Sequence, residues 1–286
     1  MRRSISIIGA GRLGGSLGRL WHETGSLEIF DVLGRTEDAG AAGVAKIGAG
    51  RAITRFADLR RVDLFCISTP DAAISAVESE LAGSGVLDAS CTVFHCSGAE
   101  SSLLLRESKT AGAAVASVHP VMSFSHSPVA ADRFVGVVCA MEGEARALPI
   151  LEEVFGALGG RTIRLDPDRK LLYHAAAVFG SNYLTTLVQL ALETYRLAGI
   201  ESDLALEMLA PLVSQTVENV LQAGPKAALT GPIARNDASL VRREYAALAA
   251  VDEELARLYR GLARPTARLA GRIDPLDPTP ADRPFP

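Results

Sequence analysis

The sequence predicts an α/β fold: a doubly wound, mostly parallel sheet over residues 1–166, then an all-helical region over 167–273. Three observations predict it. Short apolar runs alternate with amphipathic stretches through the first half, the pattern of strands joined by crossover helices in a sheet covered on both faces. The first run ends in Gly9-Ala10-Gly11-Arg12-Leu13-Gly14, a G-x-G-x-x-G turn between a strand and a helix. Beyond Asp166-Pro167-Asp168, which marks a helix start, the alternation stops and helical periodicity takes over.

The elements follow in order. Ser4–Ile8 is the first strand, and Arg12–Thr24 a helix with Leu13, Leu17, Leu20 and Trp21 on one face and Gly25 at its end. Leu27–Leu33, Asp63–Ser68, Thr92–Cys96, Val115–Val118, Phe134–Ala140 and Arg161–Leu165 are further strands. Ala72–Leu81 and Glu144–Leu158 are helices between them. The second half predicts one long apolar helix over Leu171–Leu197, then Ser202–Gln222, Lys226–Leu229 and Ala238–Ala263. Residues 274–286 carry Pro275, Pro278, Pro280, Pro284 and Pro286 and read as a poorly ordered tail.

Composition bounds the function. Of 286 residues, 48% are hydrophobic and 22% charged, enough apolar material for a core and too much for a disordered chain. The net charge of -4 and the absence of a dense basic block argue against a nucleic acid or an anionic membrane as partner. No apolar run in the sequence reaches the ~18 residues of a bilayer span, and the run after Met1-Arg2-Arg3-Ser4 stops at Gly9, too soon for a signal peptide. Four cysteines form no C-x-x-C and read as buried thiols of a cytoplasmic protein. No metal is expected: His119 and His126 lack a third ligand.

The glycine turn carries the clearest chemistry. Gly9 permits the tight turn, Gly11 lets a pyrophosphate approach the backbone, and Gly14 lets the helix pack on the strand. The helix N-terminus then offers N–H groups and partial positive charge to phosphate. At the end of the second strand, Asp31 has the spacing of a ribose-binding acid, but Val32 and Leu33 follow it and place it inside the strand. The tip reads Gly34-Arg35-Thr36, which suits a 2′-phosphate, so NADP is favoured over NAD. Ser68-Thr69-Pro70 closes the third strand at the edge where cofactors bind. Asp71 is either a helix cap or a cofactor neighbour.

With those residues go His95-Cys96-Ser97-Gly98, His119-Pro120 with Phe124, Tyr173-His174-Ala175-Ala176-Ala177-Val178 with Asn182, and Gly231-Pro232-Ile233-Ala234-Arg235. Together they resemble the bacterial family of Rossmann-like proteins with a C-terminal DUF2520 domain, over nearly the whole chain apart from the tail. The family is similar to NADP-dependent β-hydroxyacid dehydrogenases, ketopantoate reductases and coenzyme F420-dependent NADP oxidoreductases. The resemblance implies a Rossmann domain, a helical domain like the C-terminal part of 6-phosphogluconate dehydrogenase, and an NADP-dependent oxidoreductase of unspecified substrate. Asn236 departs from it, standing where relatives carry Gly; Asn tolerates the same left-handed backbone.

Hydride transfer to a carbonyl or imine needs a proton donor beside the nicotinamide. Lys170 and His174 are four residues apart and share a helix face, so either is a candidate donor, and Asn182, two turns on, is the candidate substrate-orienting residue. Related dehydrogenases place Lys and Asn at this spacing, where this chain has Lys170 and His174. Ser97, at a strand end, is placed against the cofactor amide or substrate, while His95 reads as a core histidine. His119, fixed by Pro120, and Arg235, which can pair with a carboxylate, are candidate substrate-binding residues. The apolar helix after the boundary predicts a homodimer through the helical domain, with a small-molecule substrate in a cleft between the domains. The competing functions are a non-catalytic NADP(H)-binding sensor and an F420-dependent NADP reductase, which needs a second broad apolar pocket.

Overall fold

The chain opens with strand β1 (Arg3–Ile8), whose Ile5, Ile7 and Ile8 are fully buried. In this computed structural model residues 2–124 and 131–277 are described. His126 and most of the proline-rich tail lie outside them. Helix α1 (Arg12–Glu23) follows, then β2 (Leu27–Leu33), α2 (Glu37–Ile47), β3 (Arg51–Ile53), β4 (Leu64–Ile67), α3 (Ile74–Gly83), β5 (Thr92–His95), α4 (Arg106–Thr110), β6 (Ala114–Pro120), α5 (Ala131–Phe134), β7 (Val138–Gly143), α6 (Leu148–Gly156) and β8 (Arg161–Arg164). The strands form one sheet in the order β3-β2-β1-β4-β5-β6-β7-β8. Pairing is parallel except between β6 and β7, so the doubly wound, mostly parallel expectation holds. The order reverses between β1 and β4, the switch point outside which open α/β sheets bind ligands.

Alternation along the strands sends side chains to two cores. Trp21 meets Phe94 and Phe155 edge-on at 6.5 and 5.6 Å between ring centres on one face. Phe65, Leu81 and Leu105 pack on the other. All four cysteines are free and buried.

The helical half comprises α7 (Lys170–Gly180), α8 (Asn182–Leu197), α9 (Ser202–Ala223), α10 (Pro225–Ala228), α11 (Ala238–Ala249) and α12 (Glu253–Ala270). The chain divides into two compact units, Met1–Ser181 and Asn182–Pro286. Secondary structure changes at residue 166, as the sequence indicates, but the compact boundary falls one helix later, after α7. Two predicted helices are each split. Leu171–Leu197 breaks at Ser181, whose φ of -127° and ψ of -73° leave the helical region, and Ala238–Ala263 breaks before Asp252, which caps α12 through Leu255 N. The predicted strand Phe134–Ala140 is displaced: Phe134 ends α5 and the strand is Val138–Gly143. Strand β3 is an addition; three residues with two exposed leave no apolar run to recognise. Asp237 caps α11 by accepting from Leu240 N, and Asn236 takes φ 61°, the left-handed conformation that a relative's glycine would supply.

By length and composition, the described stretch Pro167–Leu197 is apolar enough to cross a membrane, broader than the sequence reading allowed. The break at Ser181 leaves helices of 11 and 16 residues, each short of the ~20 a span needs.

Candidate functional site

Two groups of residues in the first unit carry chemistry. The first lines a cleft of about 850 Å³ at the C-terminal ends of β1, β2 and β4. Gly9, at φ 87°, makes the turn and donates its N–H to Leu33 O at 2.9 Å. No atom lies within 4 Å of where a Cβ on Gly11 would stand, so the chain leaves open space over the start of α1. Gly11 is also the N-cap of α1, with no side chain capping it, so the first N–H groups of the helix stay available to a phosphate. Gly14 does the opposite: a Cβ there would stand 2.6 Å from Gly9 O and closer still to Ser68 Oγ, which itself donates to Gly9 O at 2.7 Å. Gly14 and Leu13 therefore shape the packing of α1 and are not among the residues lining the cleft, so within the glycine motif the cofactor-binding expectation narrows to residues 9–12.

Gly9, Ala10, Gly11, Arg12, Gly34, Arg35, Thr36, Ser68, Thr69 and Pro70 all line it. Thr36 caps α2, accepting from Ala39 N at 3.2 Å. Lys46 is a lining residue the sequence reading missed. Its ammonium donates to Gly11 O at 2.9 Å, and burial, then the charge of Arg12, lower its pKa. The signal existed: Ala39, Ala42, Gly43 and Lys46 recur at helical spacing on the lining face of α2. No Asp or Glu among the described residues lines the cleft. Asp31 is fully buried inside β2 and held by Arg51 at 2.9 Å and Arg60 at 2.8 Å. Burial alone would raise its carboxyl, but hydrogen bonds from the two arginines outweigh it and hold it below the usual range. Thr69 Oγ1 is buried with no hydrogen-bond partner among the described residues, a polar atom pointing to a ligand.

The second group gathers around Gly98. His119 Nδ1 lies 2.8 Å from Tyr173 Oη, and its ring meets those of Tyr173 and His174 edge-on at 5.7 and 5.9 Å. A Cβ on Gly98 would stand 2.5 Å from His174 Nδ1 and 3.0 Å from His119 Nε2, so only glycine lets both imidazoles close over this point. Burial, then the charges of His174 and Lys170, push the His119 pKa down to about 4 against a smaller upward pull from Asp71. His174 Nδ1, like Thr69 Oγ1, is buried with no hydrogen-bond partner among the described residues.

Behind this cluster, Lys170 is 2% exposed. Its Nζ donates to Ser117 Oγ and to Glu142 Oε1, the latter at 3.2 Å, and Glu142 in turn accepts from Ser102 N and Oγ at 2.8 and 2.6 Å. Lys170 is neither a surface lysine nor aimed into open space. Ser97 Oγ accepts from the N–H groups of Ala99 and Glu100 at 3.1 and 2.9 Å, which builds the turn and leaves its O–H as the donor for a cofactor amide or substrate. His95 is the expected core histidine, with burial driving its pKa to about 3. Asn182 opens α8 beyond the Ser181 break, so it does not continue the helix face of Lys170 and His174. Arg235 is exposed in the turn before α11 of the second unit. Ser117 and Glu142 were missed because nothing local marks them, and Tyr173 stood in a resemblance motif without a role. No group of three or more His, Cys, Asp or Glu among the described residues can hold a metal ion.

Residues 1–120 match the Rossmann-like domain, and residues 137–266 match DUF2520, a domain of unknown function. The chain thus joins a Rossmann-like part to a DUF2520 part, each match covering less than half of it. No curated protein matches it. Among solved structures, the DUF2520 protein described here is similar to BF3122 from Bacteroides fragilis, at 23% identity and a TM-score of 0.78, covering 93% of this chain and 98% of that one. Protein TM1727 from Thermotoga maritima is similar at 24% identity and 0.73, over the same shares. A reductive aminase from Aspergillus terreus, solved with NADPH and ethyl levulinate, is similar at 18% and 0.62, covering 95% of this chain and 99% of that one. These likenesses show a shared fold.

Proposed function

We propose that this DUF2520 protein is an NADP-dependent oxidoreductase acting on a small carbonyl, hydroxy-acid or imine compound. The observation that carries the reading is the cleft: an open Gly11, an uncapped α1 N-terminus and, among the described residues, three cations (Arg12, Arg35 and Lys46) and no carboxylate. That donor set suits a dinucleotide with an additional phosphate, and Arg35 beside Thr36 at the tip of β2 is the group to receive it. The reductive aminase was solved with NADPH, which supports the same choice here.

Bound in this cleft, the nicotinamide would supply or take the hydride. The chain's own residues would manage the proton. His119 is neutral at pH 7, and its Nδ1 shares a hydrogen bond with Tyr173 Oη. His174, whose buried Nδ1 has no partner among the described residues, is the proposed donor in the reducing direction. A sensor that merely held NADP(H) would have no use for such a cluster. The second unit does carry an apolar groove of about 660 Å³, large enough for the pocket an F420-dependent reductase requires. Its lining includes one carboxylate, Glu244, and no cation, which favours the simpler nicotinamide reading.

The deciding experiment is titration of the protein with NADPH and NADH, followed by nicotinamide fluorescence. Tight NADPH and weak NADH binding is expected; binding of neither sinks the reading. A cytoplasmic homodimer is proposed with it, because Leu171, Leu172 and Phe179 of α7 are each 70% exposed. A concentration-independent monomer mass by light scattering would remove the dimer.

A further inference from the structure

We propose that the buried Lys170–Glu142 pair positions the imidazole–phenol cluster, Lys170 acting through Tyr173, His174 and His119 and not as the group that releases the proton. The inference borrows from the oxidoreductase reading only the use to which the cluster is put; the geometry stands by itself.

Lys170 is the first residue of α7, and its side chain runs into the sheet. It ends on two residues that the strand register places side by side, Ser117 of β6 and Glu142 of β7. Glu142 ties in a third element through Ser102, which gives its backbone N–H to one carboxylate oxygen and its hydroxyl to the other. Tyr173 and His174 lie three and four residues beyond Lys170, on the same helix face. His119 lies two residues beyond Ser117, on the same side of β6. The lock and the cluster thus share one helix turn and one strand face. Fixing residue 170 fixes where the phenol and the second imidazole fall, and Gly98 leaves them room only there.

The same geometry argues against Lys170 as donor. Its ammonium is 2% exposed and already bonded to a hydroxyl and a carboxylate. Burial lowers its pKa, while Glu142, with smaller pulls from Cys96 and Asp71, acts to keep it charged. That retained charge faces His119 and His95 and opposes their protonation. A proton donor must meet its acceptor; this lysine meets the sheet.

The test uses the full chain, whose five histidines give a tractable set of imidazole signals. Lys170→Met alone leaves Glu142 buried and unpaired and is expected to destabilise the fold, so the working variant is Lys170→Met with Glu142→Gln. Imidazole titrations are followed by NMR, with His119 and His174 assigned through His119→Gln and His174→Gln. In the double variant the His119 titration is expected to move up by roughly one unit, the size of one nearby charge, and the close contact between His119 and Tyr173 to weaken. NADPH affinity, set by the cleft, is expected to stay within about twofold, since the two sites share no residue. An unchanged His119 titration with the Tyr173 contact intact overturns the proposal. If the double variant does not fold, Glu142→Gln alone serves: it keeps a partner for Ser102 and drives the uncompensated lysine neutral, so His119 must shift in the same direction. Failure of the unmodified protein to bind NADPH would remove the oxidoreductase reading and leave this NMR result standing.

Discussion

The glycine-turn cleft and the histidine cluster are built in opposite ways. The cleft draws most of its polar groups from three short segments, residues 9–12, 34–36 and 68–70, each directly following a strand. Its working groups are mainly backbone N–H and exposed cations. The cluster draws one to three residues each from β6, β7, α7 and the turns after β5, and its working groups are mostly buried side chains. A site made of backbone survives many side-chain changes but fails when a glycine gains a carbon. A site made of buried side chains depends on protonation and on each partner's presence. The two regions should therefore break under different perturbations.

Acid is the sharpest of these and should act on the cluster side alone. His119 and His95 titrate near 4 and 3 when folded, against 6.5 unperturbed. The folded chain therefore binds fewer protons than the unfolded one in this range, and stability rises with pH. The contribution is complete above about 6.5 and is lost as the pH falls toward 4, by roughly 3 kcal/mol for each histidine. Denaturant melts at pH 7.5, 5.5 and 4.5 measure it. His119→Gln should flatten the slope by about half, since one of two similar contributions is gone. An unchanged slope would mean that His119 is solvated, and the contrast between the regions would lose its basis.

Two glycines test the cleft side. Gly14→Ala drives a carbon into Gly9 O, a backbone atom that cannot turn away, and should cost about 3 kcal/mol or more. Gly11→Ala places its Cβ in open space, so its melting temperature should match the unmodified chain. Its NADPH affinity should fall by at least roughly tenfold, because the added methyl occupies the phosphate approach. Equal stability losses in the two variants would show that Gly11 serves the fold and not a ligand.

This contrast also explains what could be read from the sequence. Gly9, Gly11, Gly34 to Thr36 and Thr69-Pro70 were legible because each follows directly on an apolar strand, and strand ends are where ligands bind. Asp31 was correctly read as lying inside its strand from the Val32 and Leu33 that follow. The cluster was only half legible. Lys170 and His174 stand out by helical spacing, but that Lys170 points into the sheet depends on Glu142 and Ser117, which are distant in sequence. Gly98 is a small residue in a turn until two imidazoles from other elements close on it. Asn182 was misplaced for a related reason: the helix break at Ser181 lies in an otherwise continuous apolar stretch, and no proline marks it.

A more moderate effect is expected at the tip of β2. Arg35 is exposed and lines the cleft, and α2 starts at its neighbour Thr36. Arg35→Ser removes one charge-assisted contact to a 2′-phosphate, so the preference for NADPH over NADH should drop by roughly 10- to 100-fold, at about 1.5–3 kcal/mol per such bond. NADH affinity should barely change. Equal losses for both cofactors would place Arg35 on the shared pyrophosphate and leave the 2′-phosphate to Lys46 or Arg12.

The smallest effect has the most unusual sign. Thr69 Oγ1 is buried against the cleft without a hydrogen-bond partner among the described residues, while its Cγ2 would stand 2.9 Å from a Cβ on Gly9. Thr69→Val keeps that shape and replaces the hydroxyl by a methyl. An unpaired buried hydroxyl costs about 1–3 kcal/mol, so its removal should stabilise the cofactor-free protein by up to about 1 kcal/mol after imperfect packing of the new methyl. The same change should weaken NADPH binding several-fold, because a ligand oxygen or amide loses its partner. The two measurements must move in opposite directions if Thr69 is held ready for a ligand. A fall in both would mean that the hydroxyl bonds to the protein itself, and Thr69 would join Ser97 as a turn-building residue.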